Sequence, residues 1–547
     1  MDRGTDRQRH GASNMKCPGY DVLIIGAGIY GATLACRAAQ AGLKTALIDK
    51  GDFGGEASAN SLKILHGGLR YLQQFDLPRM RESIKARRDA FSALPYLTRP
   101  ARFIAFTGNN VKRSRLAFGV AGIFNDIISF DRNRGLPASH IIGRTATWSR
   151  QDILKCLPDA DIDADGALVW SDGIIDNTER FTLAYVMSAK QSGATVMNYT
   201  KAISLIKSGS RIEGVNAIDA DGNPLELCAR FTINATGGWL DGLLPDQSRP
   251  RAYVKAYNLV VNRNWFGDFG VGLERGKRNY FFAPWHGGTM IGTEYKLFTG
   301  DVDACKLTSQ EIEEFISAVN ELYPQAGLAI NDVVFSHVGI LPAAYDKRGN
   351  PEPLPSGKIQ IIDYRSSHSL DGYMAVSGVK YTTADFRASK VIKLVSKKLQ
   401  HSIQTEEFPA LYGAEKPCDT GMFLRDAGAA GWRPEQETAN WIIANYGARY
   451  PELIDIAIER EKWRTRLDGS PIPAAAVVHA IRREMAHHAT DFIFRRTDLG
   501  TFKHPGNETV ETVIAIMAEM NNWNRTRMDG ERMAVENHYE KLGFRSK

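Results

Sequence analysis

YDVLIIGAGIYGATLACRAAQAGLKTALID, from Tyr20 to Asp49, spells a strand, a glycine turn, a helix and a second strand. Val22 to Ile25 is a continuous apolar run suited to a strand buried on both faces. Gly26, Gly28 and Gly31 follow at the G-x-G-x-x-G spacing, each with its own physical task. Gly26 permits the tight turn, Gly28 lets the backbone approach a pyrophosphate with no Cβ in the way, and Gly31 lets the helix pack close to the strand. Phosphates then meet free N–H groups at a helix N-terminus. Ala32 to Ala41 reads as an alanine-rich helix ended by Gly42, and Thr45 to Ile48 as a second apolar strand finishing at Asp49. A carboxylate there accepts hydrogen bonds from ribose hydroxyls and repels a 2′-phosphate. With all four parts in register the stretch reads as a dinucleotide cradle in an α/β protein. The glycines of GVGLERG, from Gly270, have the wrong spacing and no helix-forming run behind them, so that stretch is expected to be a loop.

The chain of 547 residues has room for two or three domains and the composition of an ordinary globular protein. Its 68 Lys and Arg against 62 Asp and Glu leave a net charge of +6, which favours anionic ligands or a membrane surface and does not imply nucleic acid. Cys17, Cys36, Cys156, Cys228, Cys305 and Cys418 are scattered, without C-x-x-C or paired Cys/His spacing, which argues against a metal site and for a reducing compartment. Met1 to Pro18 is polar, carries Arg3, Arg7, Arg9 and Lys16, and reads as a flexible leader. The most membrane-like stretch, Val22 to Leu43, is interrupted by Arg37 and Gln40, so no transmembrane helix is expected.

After Asp49, Ser58, Asn60 and Ser61 offer short hydroxyl and amide side chains beside Lys63, and His66-Gly67-Gly68 leads into a helix carrying Arg70 and Tyr71. GAGIYGA, the terminal Asp49 and above all HGGLRYL resemble the FAD-dependent, aerobic-type glycerol-3-phosphate dehydrogenases. In that family this segment runs beside the flavin ring and its arginine faces the substrate. The resemblance therefore implies cofactor contacts from Gly26, Gly28, Gly31, Asp49, Ser61, Lys63 and Gly67, and substrate contacts from Arg70 and Tyr71.

Further along, Pro78 to Phe91 reads as a basic helix. Ala101 to Ser129 mixes Lys112, Arg113 and Arg115 with Leu116, Phe118, Val120, Ile123, Phe124, Ile127 and Ile128, a pattern that suits either an interfacial helix or one packed on its own domain. Proteins similar to this one are peripheral membrane enzymes that pass electrons to quinone. Asp172 to Ala194 reads as a turn and a helix, followed by short alternating strands that end in FTINATGGW. There, Asn234-Ala235-Thr236-Gly237 resembles the A-T-G signature of flavoproteins of the two-dinucleotide-binding type, which implies contacts from Thr236 and Gly237. No second glycine fingerprint exists for a nicotinamide, which favours FAD over NAD. Arg251 to Pro342 contains alternating segments expected to form a sheet roofing the flavin.

The chain returns through Met374 to Thr383, a strand, a glycine and a helix start that resembles the family's G-G-K-x-T-T apart from Val379. The resemblance places Gly378, Tyr381 and Thr382 at the cofactor and Lys380 at its reacting face. A helix N-terminus there suits negative charge on the reduced ring. Beyond Ala410 the composition turns helical and charged, with Val477, Ile481, Met485 and Phe492 on one expected helical face and His487 and His488 on the surface.

Three positions depart from the family. Its second phosphate arginine corresponds to Leu341, a third falls near Asp363 with Arg365 two places on, and a histidine before the roof strand is Asn258. The expected architecture is an FAD-binding Rossmann-like domain (19–100, 150–250 and 350–405), a mixed-sheet substrate domain (101–149 and 251–349) and a helical C-terminal domain (410–547). The expected activity is oxidation of a secondary alcohol to a ketone by hydride transfer to flavin, with Lys380, Arg70 and His66 as catalytic candidates and Tyr71, Asn258, Leu341 and Arg365 around the substrate. By resemblance the substrate is sn-glycerol 3-phosphate. The alternatives are another polyol phosphate, a glycerophosphate conjugate, or a specialised-pathway alcohol or amine. Quinone or oxygen reoxidises the flavin, a homodimer is compatible, and the expected place is the cytoplasm or the inner face of the cell membrane.

Overall fold

The computed structural model describes residues 19–108, 114–158, 164–243, 251–275, 278–355, 359–403 and 409–543. The leader, Lys112 and Arg113 lie outside them. Strand β1 (Tyr20–Ile25), helix α1 (Ile29–Gln40) and strand β2 (Thr45–Ile48) form as their sequence dictates. β1 pairs in parallel with β2 on one side and with Pro224–Asn234 on the other, and its two faces are buried in separate clusters, Val22 and Ile24 in one and Leu23 and Ile25 in the other. Gly31 shows why a helix follows so closely: a Cβ there would collide with the carbonyl oxygen of Gly26. Across this first sheet the order is Gln360–Asp363, Tyr373–Ser377, Pro224–Asn234, β1, β2, Thr195–Met197. Helix α1 packs against the Thr178–Gln191 and Ala384–Leu399 helices.

The second sheet orders Pro351–Pro355, Val333–Tyr345, Tyr253–Val261, Gly288–Phe298, Arg278–Trp285, Phe269–Arg275, Thr98–Phe106, Gly166–Ile175 and the short β3 (Ile64–Leu65). The chain crosses between the sheets repeatedly. β3, Gly166–Ile175 and Pro351–Pro355, drawn from stretches expected to bind nucleotide, all join the second sheet. The core of this sheet is continuous with that of the C-terminal helices, where Phe335 and Val338 share a cluster with Phe492, Ile493 and Val510.

Several expectations are corrected. Phe269–Arg275 is a strand, not a loop, because it pairs with Arg278–Trp285 and with Thr98–Phe106, and Gly270 leaves room for the ring of Phe103 on that second neighbour. Ala101 to Phe106 belongs to a strand, and the amphipathic helix begins only at Arg115, capped by Ser114, giving α3 (Arg115–Ile128) after α2 (Leu77–Ala93). In α2 the capping residue is Asp76, whose side chain accepts from the Arg79 N–H, and Pro78 stands in the first turn. The Ala475–Glu484 helix stops at Met485, which adopts a left-handed conformation, so Phe492 lies on a separate turn and does not extend the same face. Cys228 is disulfide-bonded, which the scattered spacing did not suggest, whereas Cys36, Cys156, Cys305 and Cys418 are free.

Candidate active site

The carboxyl ends of the parallel strands open into a cavity of about 1710 Å³. Its wall begins at Asp49 and Gly51, passes the glycine turn at Gly26 and Gly28, and continues through Ala235, Thr236 and Gly237 to Gly378 and Lys380. This is the crevice where open α/β sheets bind ligands. Its lining takes in the glycine turn and the acid after β2, the two features that a dinucleotide needs. Gly26 has φ +94°, and a Cβ there would lie 2.8 Å from the Ala235 carbonyl oxygen. At Gly28 a Cβ would face the Ser58 hydroxyl at 3.0 Å, and that hydroxyl accepts from the Ile29 N–H at the start of α1 at 2.9 Å. Asp49 accepts from the Ala27 N–H at 2.6 Å and the Gly51 N–H at 2.9 Å. Burial pushes its carboxyl up to about 6, so further donors such as ribose hydroxyls would favour its charged form.

At the other end, Lys380, Arg70, Tyr71 and His66 line the same space. The Lys380 ammonium donates to Ser83 Oγ at 2.5 Å and stands 4.7 Å from the centre of the Tyr71 ring. Burial brings Lys380 down to about 8, with Arg70 and Arg79 adding repulsion and Glu82 and Asp172 opposing it. Arg70 is exposed on a short turn, Leu69–Gln74, that starts from Gly68 at φ +86°. The HGG spacing matters here because a left-handed residue is needed to turn the chain out of β3.

Asp172 was not singled out from the sequence. It is 4 % exposed at its side chain, and its Oδ1 accepts from the Gly67 N–H at 2.6 Å and from Arg87 at 2.5 Å. Its Oδ2 accepts from the Trp170 indole at 3.1 Å and faces His66 Nδ1 at 3.8 Å. Although burial opposes it, His66, Arg87 and the Gly67 N–H hold this carboxyl below the usual range. The available signal was an acid inside the otherwise apolar run GALVWSDGII.

Other expected residues fall in different places. Ser61, Thr382 and Tyr381 line the cavity, and the Tyr381 hydroxyl donates to the Thr178 carbonyl at 2.8 Å. Lys63 lines it too, yet its ammonium is committed to Glu179 at 3.0 Å and Thr178 at 2.9 Å, both ends of the ion pair being 2 % exposed. Its charge is spent on the fold. Gly31 and Gly67 are set back from the cavity wall, where they serve close packing and the Asp172 contact. Asn258 is buried at the wall, donating to the Asn60 carbonyl at 3.1 Å and accepting from Thr293 at 2.8 Å. Leu341 is on the wall, but Arg365 is not, its 66 % exposed side chain reaching toward Asp371 at 3.9 Å. Asp363 pairs with Lys398 at 2.6 Å. The expected phosphate arginine is therefore missing from this wall, since Asp363 caps the helix that points Arg365 outward.

Two further walls were not expected. α3 contributes Phe118, Ala121, Phe124 and Ile127, and the C-terminal region contributes Asp491, Arg495 and His538. His487 is exposed as expected, while His488 bonds Glu531 at 2.8 Å. No group of His, Cys, Asp or Glu among the described residues suits a metal ion.

Residues 21–377 match the family of FAD dependent oxidoreductases, and residues 403–528 match the C-terminal domain of alpha-glycerophosphate oxidase. The chain is similar to a glycerol-3-phosphate dehydrogenase of Synechocystis sp., 28% identical over 505 residues that cover 87% of this chain and 88% of that one. It is also similar to an aerobic glycerol-3-phosphate dehydrogenase of Staphylococcus epidermidis, 26% identical over 570 residues covering 98% and 97%. Among solved structures, the glycerol-3-phosphate dehydrogenase of Bacillus halodurans complexed with FAD superposes with a TM-score of 0.73 at 21% identity, covering 97% of both chains.

Proposed function

This chain belongs to the family of FAD dependent oxidoreductases, and from that premise we propose that it oxidises the secondary alcohol of sn-glycerol 3-phosphate, or of a closely related polyol phosphate, to a ketone. FAD is its cofactor, and when bound it accepts the hydride that leaves the carbinol carbon. The observation that carries the reading is the convergence of Lys380, Arg70, Tyr71 and His66 at one end of a cavity whose other end is the dinucleotide cradle. The curated relatives named above carry the same activity in their names.

In this reading Gly26, Gly28, Asp49, Thr236, Gly237 and Gly378 hold the dinucleotide. Arg70 takes the phosphate, with Tyr71 beside it. His66, steered by Asp172, accepts the hydroxyl proton as the carbon–hydrogen bond breaks. Lys380, kept cationic below about pH 8, stabilises the negative charge that develops next to it.

Leu341 on the wall favours a second reading, in which an apolar substituent of a glycerophosphate conjugate or other alcohol lies where the family has an arginine. Losing one charge-assisted phosphate contact costs roughly 1.5–3 kcal/mol, so free glycerol 3-phosphate would bind weakly. Anaerobic mixing of the holoenzyme with glycerol 3-phosphate, other polyol phosphates, glycerophosphate conjugates and amino acids, followed at the oxidised-flavin absorbance, separates these outcomes. Bleaching by glycerol 3-phosphate at ordinary metabolite concentrations supports the first reading, bleaching only by a larger conjugate supports the second, and bleaching only by an amino acid overturns both.

The reading extends to the surface. Next to the cavity, α3 exposes Leu116 at 80%, Ile123 at 63% and Ile127 at 63%, with Phe130 at 78% just after it and Phe75 at 84% beside the Leu69–Gln74 turn that contacts it. An apolar face of this kind suits insertion into the headgroup boundary and a lipid-borne quinone as electron acceptor. No helix among the described residues is long and apolar enough to cross a membrane.

A further inference from the structure

The C-terminal helical region brings two adjacent arginines to the cavity side of the molecule, and they are treated differently. Arg496 is fully buried and saturated, pairing with Asp52 at 2.5 Å and donating to the Glu484 carbonyl at 2.7 Å. Arg495 is half-buried and lines the cavity. Its one hydrogen bond among the described residues goes to the carbonyl of its neighbour Phe494, at 3.3 Å, and no carboxylate pairs with it there. A partly desolvated guanidinium without an anion is costly, and the surroundings add to the cost. The imidazoles of buried His337 and half-buried His538 are pushed down by desolvation, and the charge of Arg495 pushes them further.

Its position points to one occupant. The guanidinium lies 3.7 Å from where a Cβ on Gly55 would be. Gly55 begins the single turn Glu56–Ser58, and Ser58, at the other end of that turn, is the residue that faces Gly28 and holds the Ile29 N–H. Gly28 is the glycine whose missing Cβ admits a diphosphate. The other cations on this half of the cavity are engaged or outlying. Lys50 pairs with Asp303, Lys63 with Glu179, and Lys201 is exposed. The glycine turn and the helix N-terminus supply N–H groups and partial charge, but no full positive charge to set against a diphosphate.

We propose that Arg495 supplies that charge: it pairs with the diphosphate bridge of FAD, so the C-terminal helical region completes the cofactor site and is held to the nucleotide-binding sheet by the bound dinucleotide. The assignment rests on the reading that this cavity takes FAD. It also explains why Thr490, Asp491 and His538 face the same space as Asp49 and Gly28. Binding that spans two regions stabilises their contact in proportion to occupancy.

The test is equilibrium titration of FAD-stripped full-length protein with FAD and, in competition, with ADP, which carries the diphosphate without the flavin. Wild type, R495A and R495K are compared at fixed ionic strength, with the thermal midpoint at saturating FAD as a second readout. R495A is expected to weaken both ligands by roughly tenfold to hundredfold, R495K by less, and the salt dependence of binding to become shallower. Limited proteolysis of the C-terminal region is expected to slow when FAD is added to wild type and to slow less in R495A. Unchanged FAD affinity in R495A overturns the assignment, as does a loss for FAD that ADP does not share. If R495A does not fold, R495K decides alone: a loss on both ligands supports the pairing, and wild-type affinity with a wild-type salt slope counts against it. A wild-type protein that binds no FAD at all would sink the cofactor reading itself, and this assignment with it.

Discussion

At the scale of single residues, Lys380 and Asp172 are charges that the fold largely removes from water. Lys380 carries a proton below about pH 8 and loses it above, because burial disfavours the ammonium. If the cation stabilises developing negative charge, kcat/KM should fall about tenfold per pH unit above that limb, and Lys380→Met should lose activity on the order of 10²–10³-fold at neutral pH. Asp172 opposes the depression of Lys380. Removing its charge with Asp172→Asn lowers the Lys380 pKa further, so the falling limb should move to lower pH. The isosteric amide leaves Arg87 without its carboxylate and costs stability as well. The position of the limb is therefore the decisive measurement, since a purely structural role would lower activity without moving it.

At the scale of elements, α3 serves two surfaces. One side of it packs Phe118 onto the strand residue Leu168 and lines the cavity, and the other holds Leu116 and Ile123 out to solvent. Neither Leu116 nor Ile123 lines the cavity. The double variant Leu116→Ser/Ile123→Ser should therefore keep its flavin and its rate with a soluble dye as acceptor. It should lose at least about tenfold in binding to anionic liposomes and in turnover with a membrane-embedded quinone. Equal sedimentation of variant and wild type with liposomes would show that this face does not meet a membrane.

At the scale of the whole molecule, the nucleotide-binding sheet and the C-terminal helices are joined by buried charge. Arg180, on a helix that packs against α1, pairs with Glu484 at 2.9 Å with side chains 2% and 0% exposed, and donates to the carbonyls of Asn445 and Arg496. Breaking one partner of such a pair strands the other charge in the interior. Glu484→Gln should cost about 3–5 kcal/mol of stability, seen as a lowered unfolding midpoint, whereas the surface pair of Arg460 and Glu519 should contribute less than about 1 kcal/mol when broken.

The dinucleotide cradle was legible from Tyr20 to Asp49 because its strand, glycine turn, helix, second strand and terminal acid lie within thirty residues, even though Ser58 and Ala235 close around the glycines from outside them. That His66, Arg70 and Lys380 share one cavity wall was legible through motif resemblance. Asp172 was not, since an acid in an apolar strand announces burial without naming its partners. Neither were the roles of Lys63, whose ammonium the fold assigns to Glu179, and of Arg495, which arrives at the cavity from a helical region more than four hundred residues after Gly28. A sequence specifies which groups carry charge and how its short segments curl. Which of those charges meet is decided only when distant segments pack, because a desolvated ion is tolerated only where packing brings it a partner.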